Sequence, residues 1–307
     1  MLGLVVVTPV ILGIVQGAGY GLVAIGLVLI YKSSRVFNFA AGEFATIGGF
    51  AFFHFAHGFR LSLPFFVLHI PKLPIVLAAL FGVLGGTVFG LLVERLVVRP
   101  LADRPKVTIL VATAALAIVL IPVELMKGGA KTFNARAAVP GQHVGLKVLG
   151  VYVSPQQGLI FASLIIAAVL LAIFFSRTDL GLATLATSQE PTASRLVGIR
   201  LNRISAMVWG ATGFLGGLAG VLLPPVTTTF NAGFGTANVL IPAFTAAVLG
   251  GMTSIPGAFV GGLLVGVIQS MAQFNINSLP GANSVAILVV LIAVLVIRPA
   301  GLLGKEA

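Results

Sequence analysis

Residues 10–31 read VILGIVQGAGYGLVAIGLVLIY, an apolar run with no charged side chain and one amide, Gln16. At a helical rise of about 1.5 Å per residue the run is about 33 Å long, enough to cross a hydrocarbon core of about 30 Å. Eight further apolar stretches follow, at 39–57, 74–98, 107–126, 156–175, 204–224, 238–251, 256–274 and 283–298. Across 307 residues 58% are hydrophobic and 8% charged, against about 25% charged in an ordinary soluble domain, and the mean hydropathy is +1.14. A soluble fold of this length cannot bury that much apolar surface. The chain therefore reads as an all-α integral membrane protein: one domain over 1–307, a polytopic helical bundle of about eight to nine transmembrane segments.

The net charge of +11 arises from 18 Lys and Arg against 7 Asp and Glu. In a soluble protein that balance would point to nucleic acid. Here the basic residues lie between apolar runs, where they set topology and meet anionic lipid, so membrane lipid is the expected partner and nucleic acid is not. With the N-terminus outside and nine crossings, Lys32, Arg35, Arg95, Arg99, Arg104, Lys106, Arg177, Arg195, Arg200, Arg203, Arg298 and Lys305 fall inside. These are twelve of the 18, in the sense the positive-inside rule requires. The chain has no cysteine, which excludes disulfides and thiolate chemistry. The first apolar stretch lacks a basic leader and runs straight into a long span, so no cleaved signal peptide is expected.

The seventh stretch is the odd one. Its 14 residues, 238–251, give about 21 Å of helix, short for a perpendicular crossing, and it ends on Gly250-Gly251. That is the pattern of a short or broken helix inside a protein-lined cavity, which either crosses or re-enters. Gly17/Gly21, Gly86/Gly90, Gly216/Gly220 and Gly262/Gly266 form G-x-x-x-G pairs, expected at close helix crossings. Gly-Phe-Leu-Gly-Gly at 213–217 is echoed by Ala-Phe-Val-Gly-Gly at 258–262, too short an echo to establish a repeat.

Two connections are long. The outer one, 127–155, holds an alternating run from Val144 to Val153 that predicts a surface hairpin. The inner one, 176–203, predicts a short helix. Thr187 or Ser188 suits the N-cap, Pro191 the first turn and Gly198 the C′ stop, with Ala193, Leu196 and Val197 on one apolar face. Such a helix either offers a knob to a partner's groove or lies flat on the lipid surface.

No catalytic or metal constellation is evident. His54, His57, His69 and His143 sit at outer positions with no carboxylate beside them. Gly128-Gly129-Ala130-Lys131-Thr132 ends like a phosphate-binding loop, but Ala130 replaces the required glycine and no strand precedes it. The chain is thus expected to be no enzyme and to bind no cofactor or metal. Among intramembrane ionisable groups only Glu43 lies clearly inside an apolar run, five residues after Asn38 and about a turn from the inner surface. It either pairs with Arg35 or caps a helix end, or it lines a pathway. Glu94 and Glu124 stand at span ends, either wetted by headgroup water or paired with Arg95 and Lys127. Proton- and sodium-driven carriers need buried charge-changing groups or oxygen-rich helix breaks. With neither evident, uphill transport would draw its energy from another subunit; the contrasting readings are a self-sufficient channel for a small neutral solute and an intramembrane enzyme.

Four stretches carry a further likeness: Gly21 to Leu27 running to Tyr31 with Arg35-Val-Phe-Asn38-Phe-Ala-Ala-Gly42-Glu43; Arg99-Pro100-Leu101; the connection from Thr178-Asp179-Leu-Gly181 to Gly198-Ile199; and Ala246-Ala-Val-Leu-Gly250-Gly251-Met-Thr-Ser-Ile255-Pro256-Gly257-Ala258. Arg298-Pro299-Ala-Gly301-Leu302 completes the order. In these residues the chain resembles the branched-chain amino acid ABC permease family, the LivH and LivM type. The resemblance implies a second permease subunit in a homo- or heterodimer, two cytosolic ATP-binding subunits that use the ATP, and an extracytoplasmic solute-binding protein. It maps a coupling helix onto Glu190 to Ile199, with Ala193, Arg195, Leu196, Val197 and Gly198 at the contact. Pathway or gate candidates are Asn38, Gly42, Glu43, Thr227, Thr228, Asn231, Gly250 and Gly251. Branched-chain amino acids are the first solutes implied, with urea and short amides carried by other relatives. Ala41 stands where the family often has His, and the polar mouth at Thr227, Thr228, Thr229 and Asn231 is unusual; both bear on the solute.

Overall fold

The computed structural model describes residues 2–62, 67–128, 132–133, 137–139, 145–148, 151–227, 230–276 and 281–304. The chain forms α1 (Leu2–Ser34), α2 (Ala41–His57), a hairpin of β1 (Phe59–Ser62) and β2 (Val67–Ile70), and α3 (Ile75–Val93). A π-helical turn and a 3-10 turn prolong α3 to Leu101. Then come α4 (Lys106–Gly128), a hairpin of β3 (Leu146–Val148) and β4 (Val151–Val153), α5 (Pro155–Arg177), α6 (Asp179–Gln189), α7 (Pro191–Leu196) and α8 (Leu201–Leu222). After the single turn α9 (Pro224–Thr227), a π-helical stretch Gly235–Leu240 leads directly into α10 (Ile241–Gly250), followed by α11 (Ile255–Asn275) and α12 (Ala282–Ile297). Among the described residues six helices are long and apolar enough to cross a membrane. The β3–β4 pair is the hairpin expected from the alternating run; β1–β2 was not anticipated.

Burial separates centre from rim. The apolar windows of α1 and α8 are 72% buried, whereas those of α3, α4 and α5 are 22%, 22% and 17% buried. The rim helices turn Leu80, Leu84, Val88, Val111, Ile118 and Ile166 outward, as a lipid-facing surface requires. Glycine sets the central crossings. On α1 and α11, a Cβ added to Gly17 would lie 2.9 Å from Leu263 Cα, and one on Gly262 would lie 2.5 Å from Gly21 Cα. On α3 and α8, a Cβ on Gly86 would lie 2.6 Å from Gly217 Cα. Backbones this close gain dispersion and interhelical packing where lipid supplies no hydrophobic drive.

The short seventh stretch begins three residues earlier than expected. The chain enters it from Phe230, which pairs with Phe133 of the α4–α5 connection. At its far end Gly251 adopts φ +101° and packs on the C-terminal tail, where Leu302 N–H donates to Leu249 O (2.7 Å) and Leu303 N–H to Gly250 O (3.0 Å). Leu303 shares a cavity wall with Lys32 and Arg35, so the far end of the 235–250 helix and the tail after α12 lie at the basic end.

Candidate functional site

The stretch between α1 and α2 does not loop out into water. Asn38, 2% exposed, accepts the Ala40 N–H through Oδ1 (3.0 Å), and Phe39 N–H donates to Thr113 Oγ1 (3.2 Å), two turns into α4. The extended backbone thus finds protein partners at depth, as it must away from water. On the other side the N-terminus of the 235–250 helix meets that of α2. Gly235 N–H donates to Thr46 Oγ1 (2.9 Å), and a Cβ on Gly42 would lie 2.7 Å from the Gly235 carbonyl. Only glycine at 42 and 235 lets two helix starts abut this way.

Glu43 lies in the first turn of α2 at this junction, fully buried. It does not pair with Arg35, whose guanidinium lies 5.8 Å from the Tyr31 ring centroid. Its carboxyl faces that of Glu124, close enough to share a hydrogen bond, although neither Glu43 oxygen nor Glu124 Oε1 has a donor in place. Two ionised carboxylates have no donor to offer each other, so this contact becomes a hydrogen bond only with a proton between them. Glu124 Oε2 accepts the Gly233 N–H (2.8 Å), so each carboxyl sits at the start of a helix, where the dipole favours negative charge. The expectation of one carboxylate near the inner surface is corrected: there are two, facing each other where the helix starts meet. Glu94 also differs from expectation, binding Arg99 (Nη2–Oε2 2.9 Å, Nε–Oε1 3.2 Å) and not Arg95. The π-helical turn, closed by Arg99 N–H to Glu94 O, places the two side chains together.

Beside this junction opens a cavity of about 610 Å³ between α1, α9, residues 234–242, α11 and α12. Its polar wall is Gln16, Tyr20, Asn238, Gln269, Gln273 and Asn283, with Thr227 and Ser284. Val226, Ile241, Ile287 and Leu288 supply the apolar part, and among the described residues no charged side chain lines it. Of the expected pathway residues only Thr227 reaches this wall. Asn231 is exposed elsewhere, Thr228 lies outside the described residues, and Gly250 and Gly251 form the turn against the tail. Gln16 and Gln269 carry no sequence motif; an amide inside an apolar run is their one signal.

At the basic end, α6 and α7 meet at Glu190, which has φ −132° and ψ 82°. The expected N-cap at Thr187 or Ser188 is displaced because Pro191 forces the residue before it out of the helical region. Thr187 and Ser188 instead remain helical and donate to Thr184 O (2.9 Å) and Leu185 O (2.8 Å). Gly198, φ +85°, ends α7 in a Schellman turn: Gly198 N–H donates to Arg195 O (3.1 Å) and Ile199 N–H to Ser194 O (3.0 Å). Ser194 faces inward, while Ala193, Leu196 and Val197 face out, Leu196 at 85% and Val197 at 77% exposure. Arg195 makes an exposed ion pair with Asp103 (3.3 Å). Among the described residues no three His, Asp or Glu side chains gather to hold a metal. His57 Nδ1 lies 3.0 Å from Phe53 O, and His143 lies outside the described residues.

A glycine-packed bundle with six helices long and apolar enough to cross a membrane among its described residues is a multi-pass membrane protein. The chain belongs to the family of branched-chain amino acid transport system permease components, whose model matches residues 10–296. It is 32% identical over 297 residues to the high-affinity branched-chain amino acid transport system permease protein BraD of Pseudomonas aeruginosa, covering 95% of this chain and 94% of that one. LivH of Salmonella typhimurium is 27% identical with the same coverage. A probable branched-chain amino acid transport permease protein LivH of Methanocaldococcus jannaschii is 27% identical over 93% of this chain and 88% of its own length. Permeases of this family are multi-pass proteins of the cell inner membrane, and so is this chain.

Proposed function

We propose that this chain forms one half of the translocation pathway of an ATP-driven importer for branched-chain amino acids. It works with a second permease subunit, two cytosolic ATP-binding subunits and an extracytoplasmic solute-binding protein; it has no catalytic role and holds no cofactor, the ATP being used by its partners. Nine helical segments build the membrane domain: α1, α2, α3, α4, α5, α8, the 235–250 helix, α11 and α12, with α2 and the 235–250 helix meeting at depth. The observation that carries it is the 610 Å³ cavity, lined among the described residues by carboxamides and aliphatic side chains without a charge. A zwitterionic amino acid with an aliphatic side chain matches both halves of that wall. Carboxamides bind it without the deep charge pairing that would retain it. Asn238 and Gln273 are exposed on this side of the bundle, a poor surface for lipid, so the second permease subunit belongs there. In this scheme α7 is the coupling helix, and Glu43 with Glu124 forms a hinge or gate where the two helix starts abut.

The test is reconstitution of the chain with its ATPase, its partner permease and its binding protein in vesicles. ATP-dependent uptake of labelled leucine, isoleucine and valine, and none without ATPase, is the expected result. Uptake of urea or an amide by the chain alone at an undiminished rate would replace the importer with a facilitator.

A further inference from the structure

A second cavity, about 210 Å³, lies at the basic end behind α7. Its mouth carries Arg99, Arg104, Lys106 and Arg195. Glu94 neutralises Arg99 and Asp103 neutralises Arg195, while Arg104 and Lys106 make no ion pair among the described residues. Two positive charges therefore remain uncompensated around one opening. Two helices also begin there, α4 at Lys106 and α8 at Leu201, and Arg200, the N-cap of α8, contributes no side-chain hydrogen bond. The positive end of the helix dipole favours an anion at such a place. The floor has the opposite character, being made of Val98, Ile109, Ile204 and Trp209, the last 2% exposed. Excess positive charge, two helix starts and an apolar floor in one cavity fit neither a free inorganic anion, which has no use for the floor, nor an uncharged lipid, which has no use for the mouth.

We propose that this cavity binds an anionic phospholipid from the leaflet at the basic end, its phosphate between Arg104 and Lys106 and part of its acyl chain on the Ile109–Trp209 floor. The volume, about seven waters' worth, admits the phosphate and the first stretch of chain, with the remainder in the bilayer. Pro191 and Arg195 of α7 form part of the wall, so the lipid props the helix from the face opposite Leu196 and Val197. Binding itself does not depend on the importer reading; only the consequence for coupling does.

Trp209 is the only tryptophan in the chain and reports on the floor directly. The full chain, purified in a neutral detergent, is titrated with phosphatidylglycerol bearing brominated acyl chains, and quenching of Trp209 emission is followed. Saturable quenching is expected with that lipid and much weaker quenching with brominated phosphatidylcholine. Arg104→Gln or Lys106→Gln should weaken the midpoint roughly fivefold each and together roughly 25-fold, while Arg203→Gln, exposed but outside the cavity, should leave it unchanged. An unshifted emission maximum without lipid checks that each variant is folded. Equal quenching by the two lipids, or an equal effect of Arg203→Gln, would overturn the site. Relief of the quenching by inorganic phosphate at matched ionic strength would assign the mouth to a soluble anion and overturn the lipid.

Discussion

Replacing Leu196 by Asp separates coupling from folding. The side chain is 85% exposed and α7 lies outside the long apolar helices, so the bundle loses almost nothing by the change. In the assembled importer the same side chain would enter an ATPase groove. Fully burying a leucine contributes about 1.5–3 kcal/mol, and an 85% exposed one has about 1.3–2.5 kcal/mol of that still to gain. Aspartate forfeits this and adds an unpaired carboxylate to a desolvated interface. At about 1.4 kcal/mol per decade, the apolar part alone is worth roughly tenfold to sixtyfold in affinity. The charge makes the loss larger. Leu196→Met, which keeps volume and character, should change affinity little. The assay is capture of the ATPase by each variant in detergent, paired with ATP-dependent uptake in vesicles. An Asp variant that retained both the ATPase and full uptake would refute the assignment of α7.

The carboxyl pair is tested by Glu43→Gln, Glu124→Gln and the double variant. If the pair gates transport, each single variant slows uptake while the complex still assembles, and the double variant departs from additivity by about 0.5 kcal/mol or more in the logarithm of rate; normal uptake by all three leaves the pair a packing feature. Removing residues 301–307 exposes the Leu249 and Gly250 carbonyls and should lower thermal stability by about 1–3 kcal/mol, read from the unfolding temperature of the purified chain. In a chain without native cysteine, Arg104→Cys and Arg195→Cys should react with an impermeant maleimide from the cytosolic side and Lys72→Cys from the other; one common side for all three contradicts the topology.

Composition and the lengths of apolar runs were sufficient to read a multi-pass helical membrane protein, because the cost of an unpaired peptide group in hydrocarbon leaves a helix as the way for such a run to cross. Local chemistry was legible for the same reason of short range. Gly198 ends α7 because only glycine tolerates that backbone freely, and the glycine pairs foretold close crossings without naming their partners. The seventh stretch was recognised as short, but its start at Gly235 depends on Gly42 and Thr46, nearly 190 residues away in the chain.

Periodicity tells which side chains share a face of one helix, not how that helix is rotated or at what depth it meets another. Glu124 therefore read as a wetted end group beside Lys127, although the deep start of α2 brings Glu43 to it. The same limit hid the cavity wall, where Gln16, Asn238, Gln269 and Asn283 come from four separate segments. Pro191 marked a helix boundary by its own ring, whereas the burial of Ser194 and the exposure of Leu196 were set by what packs behind α7. Sequence alone determined that these helices form and cross, since hydrogen bonding and apolar length are properties of each segment. Which polar groups meet between them was decided only by the tertiary packing, because that depends on the relative rotation and depth of helices far apart in the chain.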